Sequence, residues 1–250
     1  MMLEATLSKL HRLKLHGMAQ AFEEQTRQAV YGDLSFEERM GLIVDRELTE
    51  RDNRKLANLL NGAKFRFPNA CPEKINFRIP RGLSKEVILS LCQNNWITTR
   101  HNIIITGPTG TGKTFLACAL GVSACRAGQS THYQRLPRLL QELHIARADG
   151  TYGKLLTRFA KYSVLIIDDW GLAKLTDRER RDLLEILEDR HNISSTIISS
   201  QINMEMWHDL IGDPTIADAV LDRLVHNAHK IKMEGDSMRK LLAEKPELDT

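Results

Sequence analysis

Residues Gly107, Pro108, Thr109, Gly110, Thr111, Gly112, Lys113 and Thr114 constrain this chain more than any other stretch, because they satisfy GxxxxGK[ST] in full. The glycines let the backbone curl until its N–H groups point inward at phosphate oxygens, and the loop opens a helix whose N-terminus favours anions. The context agrees with that mechanism. Asn102-Ile103-Ile104-Ile105-Thr106 before the loop reads as a short buried strand, and residues 113 to about 126 read as a helix. Lys113 is expected to reach the β- and γ-phosphates of a nucleoside triphosphate, and Thr114 to ligate Mg2+ through its hydroxyl.

A phosphate cradle of this kind needs an acidic partner on a neighbouring strand. Val164-Leu165-Ile166-Ile167 reads as a strongly buried strand that ends at Asp168-Asp169. Side chains at the carboxyl edge of a parallel sheet emerge beside the loop. Asp168 is expected to hold the metal, and Asp169 to orient the attacking water or accept its proton. Taken alone, the pair would read as a cap or an Asx turn before Gly171. Thr196-Ile197-Ile198-Ser199 reads as a third strand, followed by Ser200 and Gln201, a polar pair placed to sense or position water. Arg223, on a helix expected after Asp213-Pro214, is a candidate to stabilise transition-state charge at a neighbouring subunit's phosphates. A helical arginine without that context is ordinarily solvated or salt-bridged.

The 250 residues, 42% of them hydrophobic, are enough for one substantial core and a smaller appended domain. Residues 1–64 carry long helical patterning: Leu3, Leu7 and Leu10 recur at helical steps, Ser35-Phe36-Glu37-Glu38 is a capping-box start, and Phe36, Met40, Ile43, Val44 and Leu48 continue the pattern. Residues 65–82, with Pro68, Pro72 and Pro80 and no clear period, read as a linker wrapped on the next domain. From residue 83 to 250, strands alternate with helices, which implies a parallel sheet covered on both faces.

Cys71, Cys92, Cys118 and Cys125 show no CxxC spacing, and the histidines form no HExxH, so zinc and disulfide frameworks are not indicated. His226 and His229 share a helical face without a carboxylate to complete a metal site. The N-terminus lacks the apolar core of a signal peptide and no run is long enough for a membrane helix, so the reading is cytoplasmic, with no membrane partner. The net charge of +3 permits contact with nucleic acid without demanding it. Basic residues gather at Arg135, Arg138, Arg147 and Lys154, and again at Arg51, Arg54 and Lys55; each set is either a phosphate contact or a solvated helix face.

The strings GPTGTGKT, LIIDDWGLA, SSQINMEMWHDLIGDPTIADAVLDRLVH and GDSMRK, with the N-terminal LKLHGMAQAFEEQ and SFEERMGLIVDRE, together resemble the IstB-type transposition helper ATPases, similar to the helicase loader DnaC. The resemblance covers nearly the whole chain. It implies an AAA+ P-loop domain behind a small all-α N-terminal domain, with no C-terminal lid domain. It also implies an extra helix near residues 137–148 turned towards DNA, and ATP and Mg2+ as cofactors. Arg223 would be an arginine finger acting across a homo-oligomer interface, Ser200 and Gln201 would form sensor I, and Arg239 would be a sensor II candidate. The implied partners are duplex DNA, contacted through Arg135, Arg138 or Lys154, and a DDE transposase of the same element.

Two departures stand out. Asp169 occupies a position where glutamate is common, and Gln201 one where asparagine is common. The expected function is an ATPase that assembles on target duplex DNA, bends it and recruits the transposase, with hydrolysis dispersing the assembly. Two alternatives are a DnaC-like helicase loader and a DNA-coating switch that binds ATP and hydrolyses it weakly. A small-molecule kinase fits poorly, for want of an acceptor-pocket motif.

Overall fold

The computed structural model describes residues 2–238, 240 and 241, so Arg239 lies outside the described residues. The chain divides into two compact units, Met1–Asn58 and Leu59–Thr250. In the first, α1 (Met2–Arg12) and α2 (His16–Arg27) precede the long α3 (Phe36–Ala63). The start of α3 is the capping box that the sequence indicates: Glu38 N donates to Ser35 Oγ at 3.3 Å, and Ser35 N to Glu38 Oε2 at 2.8 Å. The backbone of α2 runs hard against α3. A Cβ at Gly17 would lie 2.7 Å from Glu47 Cα, so only glycine permits this approach. Met18 N donates to Glu47 Oε2 and Gln25 Nε2 to the Arg39 carbonyl, which fixes the pairing. Within the apolar series of α3, Ile43 is buried whereas Phe36, Met40, Val44 and Leu48 are exposed. The helical period is as expected, but it does not mark a wholly buried face.

The second unit begins inside α3, and its pre-sheet segment is packed into that unit. Phe65, Ala70, Ile75 and Arg81 are all buried, with the Phe65 ring against Gly121. Then come α4 (Lys85–Cys92), α5 (Asn95–Thr98), β1 (Asn102–Thr106), α6 (Lys113–Arg126), β2 (Thr131–Arg135), α7 (Leu136–Ala148), α8 (Tyr152–Lys161) and β3 (Val164–Trp170). The unit continues with α9 (Asp177–Arg190), β4 (Ser195–Ser200), α10 (Trp207–Ile211), α11 (Pro214–Val225) and β5 (Ala228–Lys232). All five strands are parallel, in the order β2-β3-β4-β1-β5. The central strands are apolar on both faces, with Ile103, Ile105, Val164–Ile167 and Ile197–Ile198 fully buried, as a sheet sandwiched between helices requires. No helical domain follows β5 among the described residues.

Two features of this unit place the functional side chains. The strand β3 does not stop at Ile167 but continues through the acidic pair to Trp170. Its register against β4 slips between Ile167 and Trp170, and Asp169 has φ +58°, a left-handed conformation that non-glycine residues adopt rarely. The bulge re-aims Asp169 away from the alternation a regular strand would impose. At the other end of the sheet, Arg190 is 1% exposed and has no ion pair among the described residues. Its guanidinium donates to the carbonyls of Phe159, Tyr162 and Ser195 and to Thr196 Oγ1, closing the C-terminal turn of α8, whose dipole favours a cation.

Candidate nucleotide-binding site

Residues 107–114 leave the C-terminal end of β1 and enter α6. Gly107, Gly110 and Gly112 all have positive φ, of +149°, +88° and +100°. A Cβ on Gly107 would sit 2.2 Å from the Met233 carbonyl oxygen, and one on Gly110 2.2 Å from Ser237 Oγ. The loop is therefore glycine-rich for two reasons: its own curl, and the close packing of the segment after β5 against it. Met238 N donates to the Gly110 carbonyl at 2.9 Å, joining that segment to the loop. Thr111 is fully buried and donates to the Pro108 carbonyl at 3.0 Å.

Lys113 is 7% exposed and donates from Nζ to the Pro108 carbonyl at 2.7 Å. Burial lowers its pKa, opposed by the charges of Asp168 and Asp169. The two carboxylates thus favour a charged ammonium inside the cradle. Thr114 Oγ1 donates to Asp168 Oδ2 at 2.9 Å, which brings together residues that are far apart in sequence. The single hydroxyl proton goes to the carboxylate, leaving the oxygen lone pairs for a cation. Asp168 is 1% exposed, and its Oδ1 is buried without a hydrogen-bond partner. A buried, unsatisfied carboxylate oxygen beside a threonine hydroxyl and a phosphate cradle fits Mg2+, which takes one or two protein oxygens and completes its shell from substrate phosphates and water. Among the described residues no cluster of three or more His, Cys, Asp or Glu is arranged to hold a metal by itself.

Asp169 does not project free. Its Oδ2 receives Arg135 Nε at 2.5 Å, and this ion pair joins the end of β2 to the bulge of β3. The pairing follows from register, since Arg135 lies opposite Asp168 on the adjacent strand. Gln201, just past β4, accepts from Thr109 Oγ1 at 2.5 Å and so touches the phosphate loop directly. Ser200 is fully buried, its hydroxyl bonded to the carbonyls of Trp170 and Ile202, and it is occupied in shaping the chain there.

The basic residues named from sequence separate into distinct environments. Arg138 and Lys154 are exposed and carry no ion pair among the described residues. Arg147 is different: Asp182 receives its guanidinium at 2.5 Å and the Tyr152 ring stacks 3.6 Å from it, so this residue binds α7 to α8 and α9 rather than facing outward as a phosphate contact. Arg223 lies at the opposite end of the sheet from the phosphate loop. Its backbone carbonyl accepts from Asn102 Nδ2 at 3.0 Å, at the start of β1, while the loop begins after the end of that strand. A five-residue strand spans roughly 16 Å, so Arg223 cannot serve the loop of its own chain. Its guanidinium pairs with Glu188 on α9 and donates to the Ala219 carbonyl, beside a cleft that Arg100, Asn192 and Asn227 also line.

A buried residue behind the phosphate loop escaped the sequence reading. Arg81, 6% exposed, donates to the Thr111 carbonyl at 3.1 Å and to the Asn76 carbonyl at 2.6 Å, bracing the outside of the phosphate loop. Its signal was a lone arginine in a proline-containing segment, which has no pattern to single it out.

The sheet order, the loop–helix cradle and the acid at the end of the adjacent strand define a P-loop nucleotide-binding domain of the AAA+ type. The family model described as IstB-like ATP binding protein matches residues 8–245, and the chain belongs to that family. It is 48% identical over 240 residues to y4pL of Sinorhizobium fredii, named as an insertion sequence ATP-binding protein, covering 96% of this chain and 98% of that one. It is 50% identical over 202 residues to the protein so named in insertion sequence IS1162 of Pseudomonas fluorescens, covering 81% and 87%. Among solved structures, the DnaC helicase loader superposes with a TM-score of 0.56 at 21% identity, over 67% of this chain and 98% of that one. AMPPCP-bound DnaA of Aquifex aeolicus gives 0.57 at 22%, over 72% and 55%. These likenesses show the fold. No helix among the described residues is long and apolar enough to cross a membrane.

Proposed function

We propose that this insertion-sequence ATP-binding protein is a DNA-responsive ATPase that assembles on target duplex DNA and delivers it to the transposase of the same element. The observation that carries the reading is the Arg135–Asp169 ion pair, which ties a candidate DNA contact to the carboxylate best placed to act on water. Duplex phosphates compete for the Arg135 guanidinium, since charge-assisted bonds to phosphate are as strong as those to carboxylate. Release of Asp169 then frees it to orient a water and accept its proton. Arg138 and Lys154, exposed and without ion pairs, add phosphate contacts that carry no base sequence.

In the nucleotide site, the loop N–H groups and Lys113 hold the triphosphate, and Gln201 sits where it can position water against the γ-phosphate. Thr114 and Asp168 would hold Mg2+, which neutralises charge on the β- and γ-phosphate oxygens when bound. Arg223 of a neighbouring subunit supplies the remaining positive charge in the transition state. This requires a head-to-tail homo-oligomer in which the N-terminal end of one sheet meets the C-terminal end of the next, a heterologous contact. ATP favours assembly, DNA bending is offset by the added phosphate contacts, and hydrolysis, stimulated by DNA and transposase, disperses the oligomer. The helices of residues 1–64 are left to contact DNA, the transposase or another subunit, joined through residues 65–82 to the ATPase domain of 83–250.

The test is ATP turnover measured together with particle size, with and without long duplex DNA, for wild type and Arg135→Ala. Duplex-dependent turnover and assembly in the wild type are expected. A response to single-stranded DNA or a helicase alone would replace this reading with that of a helicase loader. ATP-dependent assembly without turnover would make the protein a coating switch.

A further inference from the structure

The carboxylate of Asp168 is gripped by a residue outside every motif. Tyr133, in the middle of β2, donates its phenolic O–H to Asp168 Oδ2 at 2.7 Å. Thr114 Oγ1 donates to that same oxygen at 2.9 Å. The other oxygen, Oδ1, is buried and accepts nothing. Tyr133 is 6% exposed and Asp168 1%, so water is not on hand to even out this asymmetry.

A buried carboxylate is ordinarily satisfied on both oxygens, and the terminal torsion of aspartate is soft and roughly two-fold. Two donors on one oxygen remove that softness. They pin Oδ2 and leave Oδ1 as the acceptor for whatever enters beside Thr114. The two donors are not equivalent. Thr114 sits on the first turn of α6, where its oxygen is also offered to the nucleotide's cation. Tyr133 belongs to β2, the edge strand, and is held in regular register against β3, with Tyr133 opposite Ile166. Burial and the Asp168 charge push the Tyr133 hydroxyl well above its ordinary pKa, so it remains a donor throughout the working range.

We propose that Tyr133 is a positioning residue of the nucleotide site, whose hydroxyl fixes the Asp168 carboxylate so that Oδ1 is presented to the divalent cation of the ATP complex. The inference rests on the reading of Asp168 as the metal-side carboxylate. A tyrosine that merely satisfies its own hydroxyl would affect stability alone. A positioning tyrosine affects how the metal contributes to nucleotide binding.

The experiment is binding of a fluorescent ATP analogue to full-length wild type, Tyr133→Phe and Asp168→Asn, in EDTA and across a Mg2+ titration, with thermal unfolding of each. For Tyr133→Phe the affinity in EDTA is expected to match wild type, while the Mg2+ concentration at half-effect rises on the order of ten-fold, as for other outer-shell partners of metal ligands. An unchanged Mg2+ midpoint in a folded Tyr133→Phe protein overturns the proposal. If that variant does not fold, 3-fluorotyrosine at position 133 keeps the ring and the hydroxyl, adds one ortho fluorine, and makes the hydroxyl a stronger donor to Asp168. Its Mg2+ midpoint must then move, and an unmoved midpoint overturns the proposal equally. If Asp168→Asn itself shows the wild-type Mg2+ dependence, the reading of Asp168 fails and takes Tyr133 with it.

Discussion

The two ends of the parallel sheet are built for different work. At the C-terminal end, the phosphate loop, Asp168, Asp169, Tyr133, Arg135 and Gln201 are tied by bonds between 2.5 and 2.9 Å within the loop and between it and the ends of β2, β3 and β4. At the N-terminal end, polar groups line a cleft, and Arg223 waits there in an ion pair with the half-exposed Glu188. The first end is a nearly complete ligand site that lacks one cation. The second is a cation without a ligand. The length of β1 keeps the two ends apart in one chain, so the proposed role of Arg223 requires a second subunit.

That contrast can be broken or sharpened at several points. The largest effect is expected from Arg223→Ala, which should lower DNA-stimulated turnover about a thousand-fold while leaving ATP affinity of the dispersed protein unchanged, since fingers of this kind act on the transition state. Stopped-flow phosphate release and equilibrium nucleotide binding check the two halves of that statement. Lys113→Ala, at the other end, should weaken ATP binding itself by about 100-fold, the loss of a buried charge-assisted contact; calorimetric titration measures it. Arg135→Ala should raise turnover without DNA a few-fold and abolish the further response to duplex, because Asp169 then has no ion pair to lose. A basal rate that falls instead would make Arg135 a support of Asp169 rather than a restraint.

The smallest expected effect concerns pH and the N-terminal half of the sheet. His132 is buried against Tyr162, ring centroids 4.8 Å apart, and burial lowers its pKa below the ordinary value. The unfolded chain therefore binds a proton first as pH falls. The contribution of His132 to stability is complete above about pH 6.5 and is lost below it, towards the depressed folded value. His132→Phe should flatten the decline in unfolding temperature as pH falls below about 6.5. His229, lowered by burial and by His101, is present in both proteins, so the difference between them isolates His132.

How much of this was legible depends on whether a residue's role is set locally. The phosphate loop, the helix from Lys113 to Arg126 and the buried strands could be read because glycine spacing and apolar runs are local signals. The strand β5 was missed, since Ala228-His229-Lys230-Ile231-Lys232 buries only Ile231 at an edge and looks polar. The bulge at Asp169 was equally invisible: nothing in Asp-Asp-Trp announces a positive φ. Arg135 was read as a surface cation and Arg147 beside it in the same way. Their carboxylate partners, Asp169 and Asp182, are set by strand register and helix packing that sequence spacing does not contain. The same holds for Tyr133 and Arg81, whose partners are a neighbouring strand and a loop carbonyl.

The division of labour between the two sheet ends can be tested by mixing. Arg223→Ala keeps an intact phosphate loop and lacks the finger; Lys113→Ala keeps the finger and lacks a working loop. Each alone, on long duplex DNA with ATP, is expected to be nearly inactive. Mixed in equal amounts, the two should recover a substantial fraction of wild-type turnover, because a Lys113→Ala subunit lends Arg223 to the ATP of its neighbour. Mixtures no more active than either variant alone, or an Arg223→Ala protein as active as wild type, would contradict the account.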